Sequence, residues 1–411
     1  MVALAGSCGG FVVIGALQAL YGPAIPAFRS RFGVTPAVAG LGLSAEFTGA
    51  LVGIVAYHLL LARTVRARPG LAGRGDRRLL AASYLLMAAG TTGFALAPSW
   101  PLALAAALVT GFGSGGIDYG LNQLFTTGFG RRSAAMLNLL NAHFGVGAVI
   151  GPALIGWLGA GRYPELFGAV AVAAVLLIPT LRGVHPDRAA LPAGRAHPQL
   201  SNDPPPAPGA VRRPIGVIVA AFVAIYVLYV AIEAGVGGWE PTHLEAVGYP
   251  ATVAATATSA FWLALTAGRF LAVPLSLRWP APAMVTGCCA GMAVFLLLAA
   301  VPAVAPEAYA GLGFMCAPIW ATGLPWLARA APKVAAAGAY VMATSMLGGI
   351  AFPPLLGRAI EVAGVRSVPL ILCGVAVVCT VLSLWLRRVT AAATGQEPSS
   401  TYEPNRAGPS G

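Results

Sequence analysis

Apolar runs long enough to cross a lipid bilayer occupy most of this chain. They fall at roughly 4–28, 36–62, 79–97, 101–127, 134–159, 163–181, 214–239, 250–275, 282–301, 304–328, 333–357 and 365–386. About 20 apolar residues span the hydrocarbon core as a helix. In lipid every backbone N–H and C=O must be paired within the protein, so only helices and closed barrels can cross. A barrel reads as alternating segments of about ten residues; these runs do not alternate and are too long for strands. The expected fold is therefore all-α and integral to the membrane, with twelve transmembrane helices. Composition agrees: 9% of residues are charged, against about 25% in a soluble domain.

The net charge is +12. In a soluble protein such a balance points to nucleic acid, but here the basic residues sit between apolar runs, where they set topology and meet anionic headgroups. With the N-terminus inside, 20 of the 25 basic residues fall on one side. They include six arginines in the stretch 63–78, Arg131 and Arg132, and five in 182–213. Both termini are expected to be cytoplasmic, in a multi-pass protein of the plasma (inner) membrane. No basic segment precedes the first run, so that run is expected to stay in the protein as a helix rather than be cleaved as a signal. Residues 183–213 are Pro-rich and polar, as a cytoplasmic linker would be. They divide the chain into two six-helix bundles, 1–182 and 214–388. Residues 389–411 are expected to form a disordered tail. The six cysteines, Cys8, Cys288, Cys289, Cys316, Cys373 and Cys379, form no CxxC pair or Cys/His cluster. Neither a disulfide framework nor a metal site is indicated, and no cofactor is expected.

The two halves repeat. A shift of 215 pairs Gly22 with Gly237, Pro26 with Pro241, Gly33 with Gly248, Ser44 with Ser259 and Gly53 with Gly268. Farther along, the shift falls to about 200, pairing Gly111 with Gly311, Pro152 with Pro353 and Gly156 with Gly357. Repeated bundles of this kind place a solute site at their interface, near the middle of the bilayer.

Within the fourth run stands an acid, Asp118, in GFGSGGIDYGLNQLF. An ionised carboxylate there costs roughly 2.5–3.5 kcal/mol, which makes it a functional candidate by default. Packing alone is the plainer alternative. Asn122 lies four residues on, on the same helical face.

In this block the chain resembles the Major Facilitator Superfamily, and within it the fucose, galactose and glucose proton symporters. Those carry G-x-G, an acid, Asn four residues later, and then L-N and G-A-x-x-G-P. Gly111, Gly113, Asp118, Asn122, Leu137, Asn138, Gly147, Ala148, Gly151 and Pro152 stand in those places. Ile232–Leu244 is similar to the E-x-x-x-G-G-W-x-x-T-x-L ending of helix 7, through Glu233, Gly237, Gly238, Trp239, Thr242 and Leu244. The resemblance implies alternating access between two bundles, with proton coupling on Asp118. It departs at helix 1, where Tyr21 and Gly22 replace the Asn-Asp of that branch, so the second coupling acid is missing there. It departs again at 63–78, which keeps only part of the glycine, Asp-Arg and Arg pattern of the cytoplasmic latch. Gly147-x-x-x-Gly151-Pro152 is also similar to a motif of drug–proton antiporters, but close packing of helix 5 accounts for it.

The remaining polar residues of the spans complete the expectation. Glu46 is a second proton-site candidate, or the partner of a nearby donor. Gln18 and Glu233 are repeat equivalents, expected on helices 1 and 7 facing a shared cavity. Asn122, Asn141 and His143 are candidate solute contacts, as are Trp262 and Trp320; interhelical hydrogen bonding and packing are the alternatives. Arg269 is expected to snorkel to the inner face. The chain then reads as a secondary transporter, a monomer, moving a small polar solute of sugar-like kind together with protons. The rival within the same fold is a proton-driven exporter of drugs or metabolites. A membrane enzyme or receptor is the remote alternative, since no HExxH, nucleophile elbow or nucleotide loop occurs.

Overall fold

The computed structural model describes residues 2–67, 72–129, 132–183, 215–331, 334 and 337–394. These form twelve long helices: α1 (Val2–Phe32), α2 (Pro36–Ala67), α3 (Ala72–Leu96), α4 (Trp100–Gly128), α5 (Ser133–Leu158), α6 (Tyr163–Leu177), α7 (Ile215–Ala246), α8 (Ala251–Ser276), α9 (Ala281–Ala299), α10 (Ala305–Ala330), α11 (Ala337–Ala363) and α12 (Val368–Thr394). All twelve, α6 together with the 3₁₀ turns that flank it (Ala160–Arg182), are long and apolar enough to cross a membrane. No strand occurs among the described residues. Several helices outrun the apolar runs, because a helix continues into the headgroup region once nucleated. The stretch 63–78 is helical up to Ala67 and again from Ala72. α7 continues two turns past 239, and α12 runs to Thr394, beyond the boundary expected at 388. Most of the linker (184–213) and the tail from 395 onward lie outside the described residues.

Helix pairing repeats between the halves. α1 packs on α5, α2 on α4, α3 on α4 and α3 on α6; the second half pairs α7 with α11, α8 with α10, α9 with α10 and α9 with α12. Each pair in the second list is the first shifted by six helices. The turns repeat as well: Gly33 and Gly248 close α1 and α7 at φ +64° and +106°, a backbone region glycine enters without a Cβ penalty.

Across the halves α2 meets α11, α5 meets α8 and α1 meets α7. The Ser44 hydroxyl of α2 donates to Ile350 O of α11 (2.5 Å), and the Ser259 hydroxyl of α8 donates to Val149 O of α5 (2.8 Å). These are one hydrogen bond made twice: Ser44 and Ser259 are repeat equivalents, and so are Val149 and Ile350. A Cβ on Gly357 would fall against Pro36 and Ala37, and one on Gly156 against Thr252. That contact is also repeated. Gly22 abuts the backbone of its repeat equivalent Gly237 where α1 crosses α7. Small residues allow this backbone approach, which is how helices gain contact in lipid.

All inter-half hydrogen bonds found among the described residues lie toward the end of the molecule that carries Arg31, Arg162 and Glu361. At that rim the Glu361 carboxylate of α11 accepts from the Ala37 N–H at the start of α2 (2.9 Å) and from Arg358 (2.8 Å). The halves are thus clasped at the Arg31 end. The Arg132 end has no such clasp among the described residues.

Candidate solute site

The run of glycines in α4 has a sorted purpose. Gly111 and Gly115, one turn apart, abut the backbone of α2 at Glu46 and Ala50. Gly113 and Gly116 abut α3 at Ser83 and Met87. Gly111, Gly113 and Gly115 let a neighbouring backbone come closer than a Cβ would permit, and Gly116 makes room for the Ser83 side chain. The approach of α2 brings Glu46 against Ser114, whose hydroxyl donates to Glu46 Oε1 (3.4 Å), while Oε2 has no partner in the structure. Asp118 follows one turn after Ser114, on the same face of α4. Two acids from neighbouring helices therefore share one wall.

That wall belongs to a cavity of about 210 Å³ between the halves. Gln18 of α1, Glu46 of α2, Asp118 of α4, Asn141 of α5 and Glu233 of α7 all line it, with Phe47, Ser114 and Phe144. The repeat equivalents Gln18 and Glu233 thus reach the same cavity. Asn122 lies between two of the lining residues. Its amide donates to Asp118 Oδ1 (2.8 Å), and its carbonyl oxygen accepts from Asn141 (3.3 Å). Asp118, Asn122 and Asn141 form a continuous polar chain from α4 to α5. A change of charge or position at Asp118 is felt by Asn141 through one side chain.

Asn122 is not itself among the lining residues, and three further candidates stand elsewhere. His143 turns its Nδ1 back to Leu139 O of its own helix (2.7 Å) and is not among the cavity-lining residues. Trp320 packs edge-on against Tyr226, with ring centroids 4.9 Å apart. Trp262 is buried behind Phe144, at 6.2 Å between ring centroids, one layer from the cavity. Its indole Nε1 has no partner. Trp239, from the helix 7 motif, is fully buried and donates to Pro353 O (3.1 Å).

One expectation is corrected. Arg269 does not snorkel away; it lines the cavity on the α8 side. It lies seven residues before the end of α8, about 10 Å along the axis, which leaves the guanidinium within reach of the solute space. The sequence reading also passed over a buried acid. Glu240 is fully enclosed, and neither of its oxygens has a hydrogen-bond donor. Nearby, Tyr309 bonds His243 Nδ1 (3.1 Å). The signal was present: Glu240 follows Glu233 by seven residues, two turns along one face. The apolar run ended at 239 and hid it.

Comparison with known proteins identifies the fold. The profile of the Major Facilitator Superfamily matches residues 7–311. Among solved structures, a D-xylose–proton symporter superposes with TM-score 0.69 at 13% identity, covering 96% of this chain and 99% of that one. The nucleoside transporter NupG gives 0.71 at 13% identity, covering 94% and 98%. The transporter FucP, in an outward conformation, gives 0.56 at 17% identity, covering 93% and 98%. No curated protein sequence matches the chain.

Proposed function

This chain belongs to the Major Facilitator Superfamily, and we propose that it moves a small, sugar-like polar solute across the plasma membrane together with protons. The observation that carries this reading is the cavity wall shared by Glu46, Asp118, Asn141 and Gln18. Amides and carboxyls that converge in an otherwise apolar interior suit a hydroxyl-rich solute, since each buried polar group needs a partner. Likeness to a D-xylose–proton symporter supports the same class.

Proton coupling rests on Asp118 and Glu46. A carboxyl group in a membrane interior exchanges a costly charge for a neutral acid when it takes up a proton. Protonation therefore biases whichever conformation buries the group more deeply. Glu46 stands on α2, one helix away from the helix 1 position where the resembling symporters carry an acid. It supplies a second carboxyl to the same cavity from a different element. Tyr21, at that helix 1 position, is fully buried with its hydroxyl unpartnered.

The conformation is read as inward-facing. With the basic residues on the cytoplasmic side, the clasped Arg31 end is the outer one and the solute enters or leaves from the Arg132 end. Both termini and the linker are then cytoplasmic, and one chain suffices as the working unit.

Asp118→Asn tests the reading. It keeps size and hydrogen bonding but cannot carry a proton. In proteoliposomes, with a sugar that stabilises the purified protein against heat, the variant should lose uptake driven by a proton gradient. It should retain solute-for-solute exchange. Accumulation against a gradient at the wild-type rate would make Asp118 a packing residue.

A further inference from the structure

Within the proposed reading of the cavity as a sugar-like solute site, Arg269 narrows the solute class. Among the described residues it is the one cationic side chain on the cavity wall. Among the described residues it makes no hydrogen bond and no ion pair within 4 Å; the two ion pairs present, Arg162–Glu165 and Arg358–Glu361, lie at the Arg31 end. The cavity acids do not claim it. Glu46 is held by Ser114 and Asp118 by Asn122. Glu233, the acid on its own half, attracts it electrostatically but stays beyond ion-pair distance. A guanidinium is always charged and presents its donors in a flat fork that matches a carboxylate edge to edge. Held in a membrane cavity without a partner it is costly, and the cost is recovered only when a solute brings the matching charge.

We propose that the solute carries a carboxylate, bound by Arg269, so that the cavity takes a sugar acid in preference to the neutral sugar. The carboxylate docks on α8, while the hydroxyls of the solute reach Gln18, Asn141 and Glu233 on the other walls. A single cation beside three acids matches one negative charge. A phosphate dianion brings two, and the second finds no cation on the wall to match it, so sugar phosphates are disfavoured.

The test uses purified full-length protein in detergent and three probes that share one ring: D-glucuronate, D-glucose and D-glucose 6-phosphate. Binding is read as the shift in melting temperature with concentration. Glucuronate should stabilise the wild-type protein at lower concentration than glucose, and glucose 6-phosphate should not stabilise it. In Arg269→Gln the apparent affinity for glucuronate should fall roughly 10- to 150-fold, the range of a charge-assisted hydrogen bond, while that for glucose stays unchanged. Arg269→Lys, which keeps the charge and loses the fork, should fall in between. Melting temperatures without probe show that each variant is folded. Equal stabilisation by glucose and glucuronate, unchanged in Arg269→Gln, overturns the carboxylate proposal and leaves the sugar-like reading standing. Binding of glucose 6-phosphate in preference to glucuronate overturns it as well. No stabilisation by any of the three overturns both.

Discussion

Closure at the Arg31 end can be opened by one methyl group. A Cβ on Gly40 would lie 2.7 Å from Pro353 O and 2.8 Å from both Pro353 C and Pro354 N, all backbone atoms of α11. Ordinary contact begins at 3.4 Å, so Gly40→Ala is about 0.7 Å too close. No side chain can rotate out of the way, so α2 and α11 must part. The same separation stretches the Ala37–Glu361 hydrogen bond, now 2.9 Å, and loosens the seat of Gly357 on Pro36. Overpacking of this kind costs roughly 1–3 kcal/mol. The cost falls on the clasped conformation alone, since in the proposed cycle the halves separate here when the Arg31 side opens. The ratio of outward-open to outward-closed protein should therefore rise roughly 5- to 150-fold. Leu43→Cys reports it: Leu43 is 5% exposed and sits over Gly238. A membrane-impermeant maleimide added on the Arg31 side should label this cysteine faster, by that factor, when Gly40→Ala is present. Two controls separate opening from unfolding. A cysteine at Phe94, fully buried in the core of the first half, should stay unreactive. Gly168→Ala, where a Cβ would meet nothing within 4 Å, should change nothing. Unchanged labelling at Leu43→Cys in folded Gly40→Ala protein would refute the claim that the α2–α11 seam is the outer seal.

The paired clasp makes a second prediction. Ser44→Ala and Ser259→Ala each remove one inter-half hydrogen bond, at a net cost of about 0.5–1.5 kcal/mol; in the labelling assay the two should act alike, and the double variant should sum them. Unequal effects would show that the two bonds do not share the load. Topology is tested at Leu200→Cys in the linker, which should be labelled only from the cytoplasmic side; labelling from outside intact cells would invert the whole arrangement.

The fold was legible because its determinants are local in the sequence. Apolar length gives the number of helices, and the spacing of small residues gives the seams. Ser44 and Ser259, matched by the repeat, turned out to make the same bond on opposite seams. The walls of the cavity were partly legible too, because an acid or amide in an apolar helix is driven toward protein rather than lipid. That reasoning leads to Gln18, Glu46, Asp118, Asn141 and Glu233, which the structure gathers around one space. It does not fix which way a side chain turns about its helix axis, and there His143 and Trp320 part from the cavity. Arg269 was misplaced for a related reason. A long cationic side chain two turns from a helix end can reach either the interface or the interior, and only the packing of α8 against α5 decides. Glu240 was missed because a hydropathy boundary was drawn one residue short of it.

The repeat also shows where function departs from scaffold. Helix pairing, turn glycines and inter-half hydrogen bonds are all duplicated. The charges of the cavity wall are not. The shift of 215 carries Glu46 onto Phe261 and Ile54 onto Arg269; the shift of 200 carries Asp118 onto Pro318. Gln18 and Glu233 are the one repeat pair on the cavity wall with polar side chains on both halves, and Ile54 and Arg269 line it with opposite character. Both proton-site candidates therefore lie on the first half, and the one cation of the wall lies on the second. A backbone that is nearly symmetric has two conformations of similar energy, because opening one end and closing the other exchanges equivalent contacts. Selection between them must then come from the unsymmetric part: the carboxyls of α2 and α4 on one side and Arg269 on the other. A solute that touches both walls, and a proton that alters only one, are the two ligands able to tilt such a balance.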